Sequence, residues 1–289
     1  MFEARLADPD PSPLRLSRRQ AESFERDGFI HLPAVFSAQE VAAIRALTDA
    51  CEVAGSGVRE DLDGGFFSMR GLTVDSAEFA GLACDGRLVG PAVQLLGPHL
   101  RFLGVQSIRR EPLGGSPGAR TPERHGWHRD VYGMSRDLGA AAPRCAVKFG
   151  IWLSDSLEAR AGGTQFLPGS QNFPVLRMPP GRIDPEGAVA PAARAGDVVI
   201  FENRTYHAGG VNRSDEPFRL LLFQYGYRWL APVIGRGHLA SLLSACSALN
   251  RQLLEPDECG VDGAYRPGSG ARLIQDWALR RRLIARARG

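Results

Sequence analysis

Apolar residues along this chain change their spacing twice. Up to about residue 97 they recur at helical intervals. From about 98 to 230 they fall into short runs and alternations broken by Gly and Pro, and beyond about 231 helical spacing returns. The first part predicts a helix over Arg18 to Arg26 and a short strand at Phe29 to Leu32. Ser37 with Glu40 three residues on forms a capping box. The helix it starts carries Val41, Ile44, Leu47 and Cys51 on one side. Another helix is expected over Arg87 to Leu96, and Phe66 to Arg70 reads as a strand. The middle part predicts strands at Leu100–Arg109, Cys145–Leu153, Thr164–Leu167, Val198–Phe201 and Leu220–Tyr227. Between them lie the Gly/Pro-rich stretch 111–124, the loop 131–144, the polar segment 154–163 and turns at Pro168-Gly169 and Ala195-Gly196-Asp197. Short strands so punctuated argue for a mainly β fold, a sandwich or barrel with flanking helices. In the tail the best helical segments are Leu239–Arg251 and Arg272–Arg288. The expected organisation is one domain, 1–289, with a core at about 98–230, a helical part at about 17–97 and a helical tail at about 231–289. No internal repeat is visible.

Composition narrows the function classes. A chain of 289 residues with 44% hydrophobic content can bury a large core. The net charge is only +3, and no basic patch or nucleic-acid motif accompanies it, so no nucleic-acid partner is expected. Arg280-Arg281-Arg282 reads as the solvated face of a helix. Lys148 is the only lysine, so the positive charge is almost all arginine, which reads as a trait of composition rather than of function. Five cysteines without a CxxC pair indicate neither a zinc knuckle nor a disulfide framework, and a reducing cytoplasm is expected. No stretch has the length or polarity of a signal peptide or a membrane span, so no membrane partner is expected.

The chemistry enters with His128-Arg129-Asp130. On an extended strand, side chains two apart share a face, so His128 and Asp130 project together while Trp127 and Arg129 face the other way. With a second imidazole from another strand they would form a 2-His-1-carboxylate facial triad, which leaves open positions on an octahedral iron. The tripeptide alone is a weak signal, because a hydrogen-bonded His-Asp pair would look the same. Residues 195–228 strengthen it: a turn, the strand Val198–Phe201, His207 at its far end, a polar turn from Asn212 to Pro217, and Arg219 opening the next strand twelve residues after His207.

That order resembles the phytanoyl-CoA dioxygenase family of iron(II)/2-oxoglutarate oxygenases. The segments Phe24-Glu25-Arg26-Asp27-Gly28-Phe29-Ile30, Leu32-Pro33-Ala34-Val35-Phe36-Ser37 and Gly162-Gly163-Thr164-Gln165-Phe166-Leu167-Pro168-Gly169-Ser170 add to the likeness, which spans about residues 20–228. Two positions depart from the pattern. In several members the arginine sits eleven residues after the distal histidine, where this chain has Phe218. Gln171 stands where many members have histidine.

The resemblance implies a double-stranded β-helix (a cupin-like jelly roll) and a dioxygenase using Fe(II), 2-oxoglutarate and O2, with His128, Asp130 and His207 as metal ligands. Related halogenases carry a small residue at the position of Asp130, so its carboxylate points to oxygenation. Arg219 is the expected anchor for the distal carboxylate of oxoglutarate, since a guanidinium pairs bidentately and stays charged when buried. Arg213 competes but sits in the turn. Thr164, Trp152 and Gln106 are further candidate co-substrate contacts, and His125 lies near the site. The expected pocket wall includes Phe66, Phe67, Met69, Arg70, Trp127, Tyr132 and Met134. The expected reaction is hydroxylation of a small molecule, a specialised metabolite or its precursor, with release of succinate and CO2, by a monomer or homodimer. Two alternatives stay open: a non-catalytic small-molecule-binding jelly roll, and a cupin-type metal-dependent hydrolase or isomerase.

Overall fold

The computed structural model describes residues 1–7, 13–55, 58–62, 66–70, 76–113, 126–130, 134, 137–158, 160–178, 182–231, 239–254 and 270–285. Its centre is a seven-stranded antiparallel sheet in the order β1-β7-β5-β9-β4-β3-β2. The strands are β1 (Phe29–Leu32), β2 (Val58–Leu62), β3 (Phe66–Arg70), β4 (Leu100–Arg110), β5 (Ala146–Trp152), β7 (Val198–Glu202) and β9 (Phe218–Tyr227). A second, two-stranded sheet pairs β6 (Thr164–Phe166) with β8 (His207–Gly209). The expected mainly β jelly roll with flanking helices is what forms.

Side-chain caps start the first four helices. Capping boxes at Ser17/Gln20 and Ser37/Glu40 start α1 (Arg18–Asp27) and α2 (Ala38–Ala54). The side chains of Ser76 and Asp85 cap α3 (Ala77–Ala83) and α4 (Gly86–Leu96). In the tail, α5 (Leu239–Ala245), α6 (Ala248–Leu254) and α7 (Gly270–Arg280) follow. The single helix expected over Leu239–Arg251 is divided, because the Ser247 hydroxyl accepts from the Asn250 amide and starts a new helix. The helix expected to run to Arg288 stops at Arg280, with Arg282 in the left-handed region at φ 57°. No helix among the described residues is long and apolar enough to cross a membrane.

Register decides which residues meet the helices and which meet the small sheet. Opposite residues of an antiparallel pair share a face. Val105, Phe149, Ile151, Ile200, Leu221, Phe223 and Tyr225 belong to one buried cluster with the helices, the outer face of the large sheet. Ile108, Trp152, Val199, Phe201, Phe218, Leu220 and Leu222 form a second cluster with Phe166 of β6, the inner face. A register shift between Phe102 and Gly104 sets the parity of the rest of β4, so that Gln106 lies opposite Leu222, Ile108 opposite Leu220 and Arg110 opposite Phe218. Both β4 and β9 are longer at this end than their apolar patterns predict, β4 by Arg110 and β9 by Phe218 and Arg219. The added pairs are Arg109 with Arg219 and Arg110 with Phe218.

Candidate metal and co-substrate site

His207 opens β8, and its backbone bridges to His128 in both directions, N to O at 3.0 Å each way. This single bridge, rather than a regular strand, brings His128 to its place. One metal-ligating atom from each of His128, Asp130 and His207 lies within 4.8 Å of the others. The two imidazole rings are 4.3 Å apart between centroids.

Hydrogen bonds orient both rings. His128 Nδ1 lies 2.9 Å from the Gly126 carbonyl, and His207 Nδ1 lies 2.9 Å from the Thr205 carbonyl. A carbonyl only accepts, so each Nδ1 carries the proton and each Nε2 keeps its lone pair, as a metal ligand requires. Thr205 is itself tied down, its hydroxyl donating to the Gly28 carbonyl at 2.9 Å. Gly28 holds φ 79° at the end of α1, and a Cβ there would stand 2.2 Å from the Thr205 hydroxyl. Gln171, the departure noted in the sequence, donates its amide to the Glu25 and Arg26 carbonyls at 3.0 and 3.1 Å, closing the same helix end.

Electrostatics favour a cation between these groups. Burial pushes the His207 pKa down to about 3, with the neighbouring His128 adding to it, so the imidazole is neutral at neutral pH. Burial alone would raise the Asp130 carboxyl. The Lys148 ammonium beside it outweighs this, and the net shift is downward. Two imidazoles and one carboxylate fit a divalent iron and leave part of its coordination sphere open.

Lys148 was missed by sequence reasoning. Its Nζ donates to Asp130 Oδ1 at 2.7 Å from the inner face of β5. The available signal was a lone lysine inside an apolar strand. Arg129 faces away from the triad as expected: its Nη2 donates to the Ser170 carbonyl at 2.5 Å and to that of Phe173, and its guanidinium lies 4.3 Å over the Tyr206 ring. It ties the Pro168-Gly169-Ser170 turn to the metal segment.

The remaining expected residues divide. Trp152 is fully buried on the inner face beside Phe218, and its Nε1 has no hydrogen-bond partner among the described residues. Thr164 is buried directly opposite Gly209, which shares the face of His207. Gln106 is half-buried on the inner face of β4. Arg219 is not brought to the site. It alternates with Phe218, so it points outward, and its guanidinium bonds Asp49 of α2. Phe218, not Arg219, takes the inward position, because β9 already pairs there with Arg110. Met69 is 2% exposed and packs with the helices, so it is not pocket wall. Trp127 donates its indole N–H to Asp184 at 2.9 Å. Met134 is half-buried, Arg70 is exposed opposite Gln106, and Arg213 stands exposed in the turn. His125, Tyr132 and the side chains of Phe66 and Phe67 lie outside the described residues.

The sequence is 28% identical to the ectoine dioxygenase of Stutzerimonas stutzeri over 71% of this chain and 75% of the relative. It is 27% identical to that of Halomonas elongata over 74% and 70%. Among solved structures, HygX from Streptomyces hygroscopicus with nickel, 2-oxoglutarate and hygromycin B bound superposes with a TM-score of 0.61 at 23% identity, covering 75% of this chain and 89% of that one. The epimerase SnoN in complex with Fe3+, α-ketoglutarate and nogalamycin RO gives 0.58 at 24%, covering 73% and 83%. The sequence profile described as phytanoyl-CoA dioxygenase matches residues 24–220. The chain therefore belongs to the phytanoyl-CoA dioxygenase family and is a dioxygenase.

Proposed function

We propose that this enzyme is an Fe(II)/2-oxoglutarate-dependent dioxygenase that hydroxylates a small molecule, with His128, Asp130 and His207 holding the iron. The observation that carries the reading is the convergence of the three ligand atoms within 4.8 Å, with both Nδ1 atoms committed to carbonyls. Iron bound there would supply dioxygen activation coupled to decarboxylation of oxoglutarate, yielding succinate, CO2 and a hydroxylated product. The protein's own part is positional. Lys148 holds the Asp130 carboxylate in one orientation, and the Thr205 and Gly126 carbonyls hold the two imidazoles. Trp152, Phe218, Leu220 and Leu222 exclude water from the floor of the site, which protects a reactive oxidant from side reactions. Gln106, Gln224 and Lys148 interrupt that apolar wall with polar groups on the same face. Such a wall suits a small molecule with an apolar body and polar substituents. The relatives named for ectoine and the structural neighbours described with hygromycin B or nogalamycin support a substrate of that size, a specialised metabolite or its precursor.

The test needs no substrate. Under anaerobic conditions, Fe(II) and 2-oxoglutarate should give a visible metal-to-ligand charge-transfer band that His207→Ala abolishes. Iron binding without a band at saturating oxoglutarate would reject the co-substrate and favour a metal-dependent hydrolase or isomerase.

A further inference from the structure

We propose that the distal carboxylate of the oxo-acid co-substrate is anchored by Arg110 of β4, in place of an arginine on β9. The inference rests on the oxoglutarate reading above and goes beyond it, because the residue lies on a strand from which sequence position predicts no anchor.

Three observations converge on Arg110. First, register: Arg110 lies directly opposite Phe218, the β9 position eleven residues after His207, and both face inward. The chain keeps a guanidinium on the correct face by moving it one strand sideways. The Arg110 guanidinium lies 5.2 Å over the Phe218 ring, so the aromatic side chain acts as its platform.

Second, reach. A Cβ on Gly209 would stand 2.6 Å from Arg110 Nη2 and 2.8 Å from its Nε. The guanidinium therefore lies on β8 at Gly209. Gly209 and His207 are two apart and share a face, and their separation along the strand is roughly 7 Å. An oxo-acid chelating at the triad with its chain directed along β8 brings its far carboxylate to this guanidinium. The absence of a side chain at Gly209 leaves room for the approach. Thr164 stands opposite Gly209 on the same face.

Third, chemistry. Arg110 is 6% exposed, and burial draws its pKa down to about 9, so it is still a cation at neutral pH. One edge donates to the Gly162 carbonyl, which fixes the plane of the fork. At Gly163, the next residue after Gly162, Trp152 Nε1 and Ser156 Oγ are buried without hydrogen-bond partners among the described residues. Both lie within 4.0 Å of the point where a Gly163 side chain would begin. A carboxylate at this place meets a charged fork and neighbouring unused donors, a setting that Arg219 on the outer face does not have.

The experiment is a titration of the anaerobic Fe(II) enzyme, followed by the charge-transfer band. It compares 2-oxoglutarate with 2-oxopentanoate, which keeps the chelating end and lacks the distal carboxylate. Wild type should strongly prefer oxoglutarate. Arg110→Gln should weaken oxoglutarate roughly 100-fold, from loss of a charge-assisted bidentate pair, and leave oxopentanoate little changed. Arg219→Gln should alter neither. The exchange R110F/F218R, which returns the arginine to β9, should restore most of the preference. If Arg110→Gln does not fold, Gly209→Ala keeps the charge, crowds the guanidinium and should still cut the preference. A wild-type band with an unchanged preference in Arg110→Gln, or a preference lost only in Arg219→Gln, would overturn the anchor while leaving the oxoglutarate reading intact. Absence of any band in the wild type would overturn both.

Discussion

The two faces of the β4–β9 pair carry three arginines within four residue positions and use them oppositely. On the outer face, Arg109 and Arg219 lie side by side and reach the acidic residues of α2: Arg219 bonds Asp49, and Arg109 Nη1 lies 3.2 Å from Glu52 Oε2. Arg219 keeps 24% of its side chain exposed and Asp49 51%, so this pair works in solvent and fastens a helix to a sheet. On the inner face, one residue away, Arg110 is buried over Phe218 and against Gly209. Residue type does not separate these roles. Strand parity does, because a shift of one residue moves a side chain from one face to the other.

Variants should separate the faces by the size of their effects. On the inner face, Phe218→Ala should destabilise the fold by about 3–5 kcal/mol in denaturant unfolding, since the ring is 1% exposed between Trp152 and Arg110. A cost near that of a surface substitution would mean that the inner cluster is not packed as described. On the outer face, a double-mutant cycle of Arg219→Ala and Asp49→Ala should give a coupling below about 1 kcal/mol, because exposed ion pairs are screened. A coupling of several kcal/mol would show that the outer pair is buried and would erase the contrast.

The fold class and the convergence of His128, Asp130 and His207 are legible in the sequence. His-x-Asp and His207 were identifiable because a metal needs a fixed donor set, and donor sets are written in residue type. The capping box at Ser37 likewise fixes a helix start locally. Apolar runs do not mark the face of Arg219, because it and Arg110 lie at the very ends of those runs. Its parity depended on a pairing between segments more than a hundred residues apart, which no local pattern records. Lys148 was passed over because its partner, Asp130, is eighteen positions away and joined to it only by the sheet. Met69 belongs to a stretch expected at the pocket, but its pairing with Ser107 sets it on the helix-facing side of the sheet.

The most direct measurement is a crystal structure of the anaerobic enzyme with Fe(II) and 2-oxoglutarate. The expected result is iron on His128, Asp130 and His207, the distal carboxylate on Arg110, and Arg219 still on Asp49. A distal carboxylate held by Arg219, with Arg110 out of contact, would contradict it.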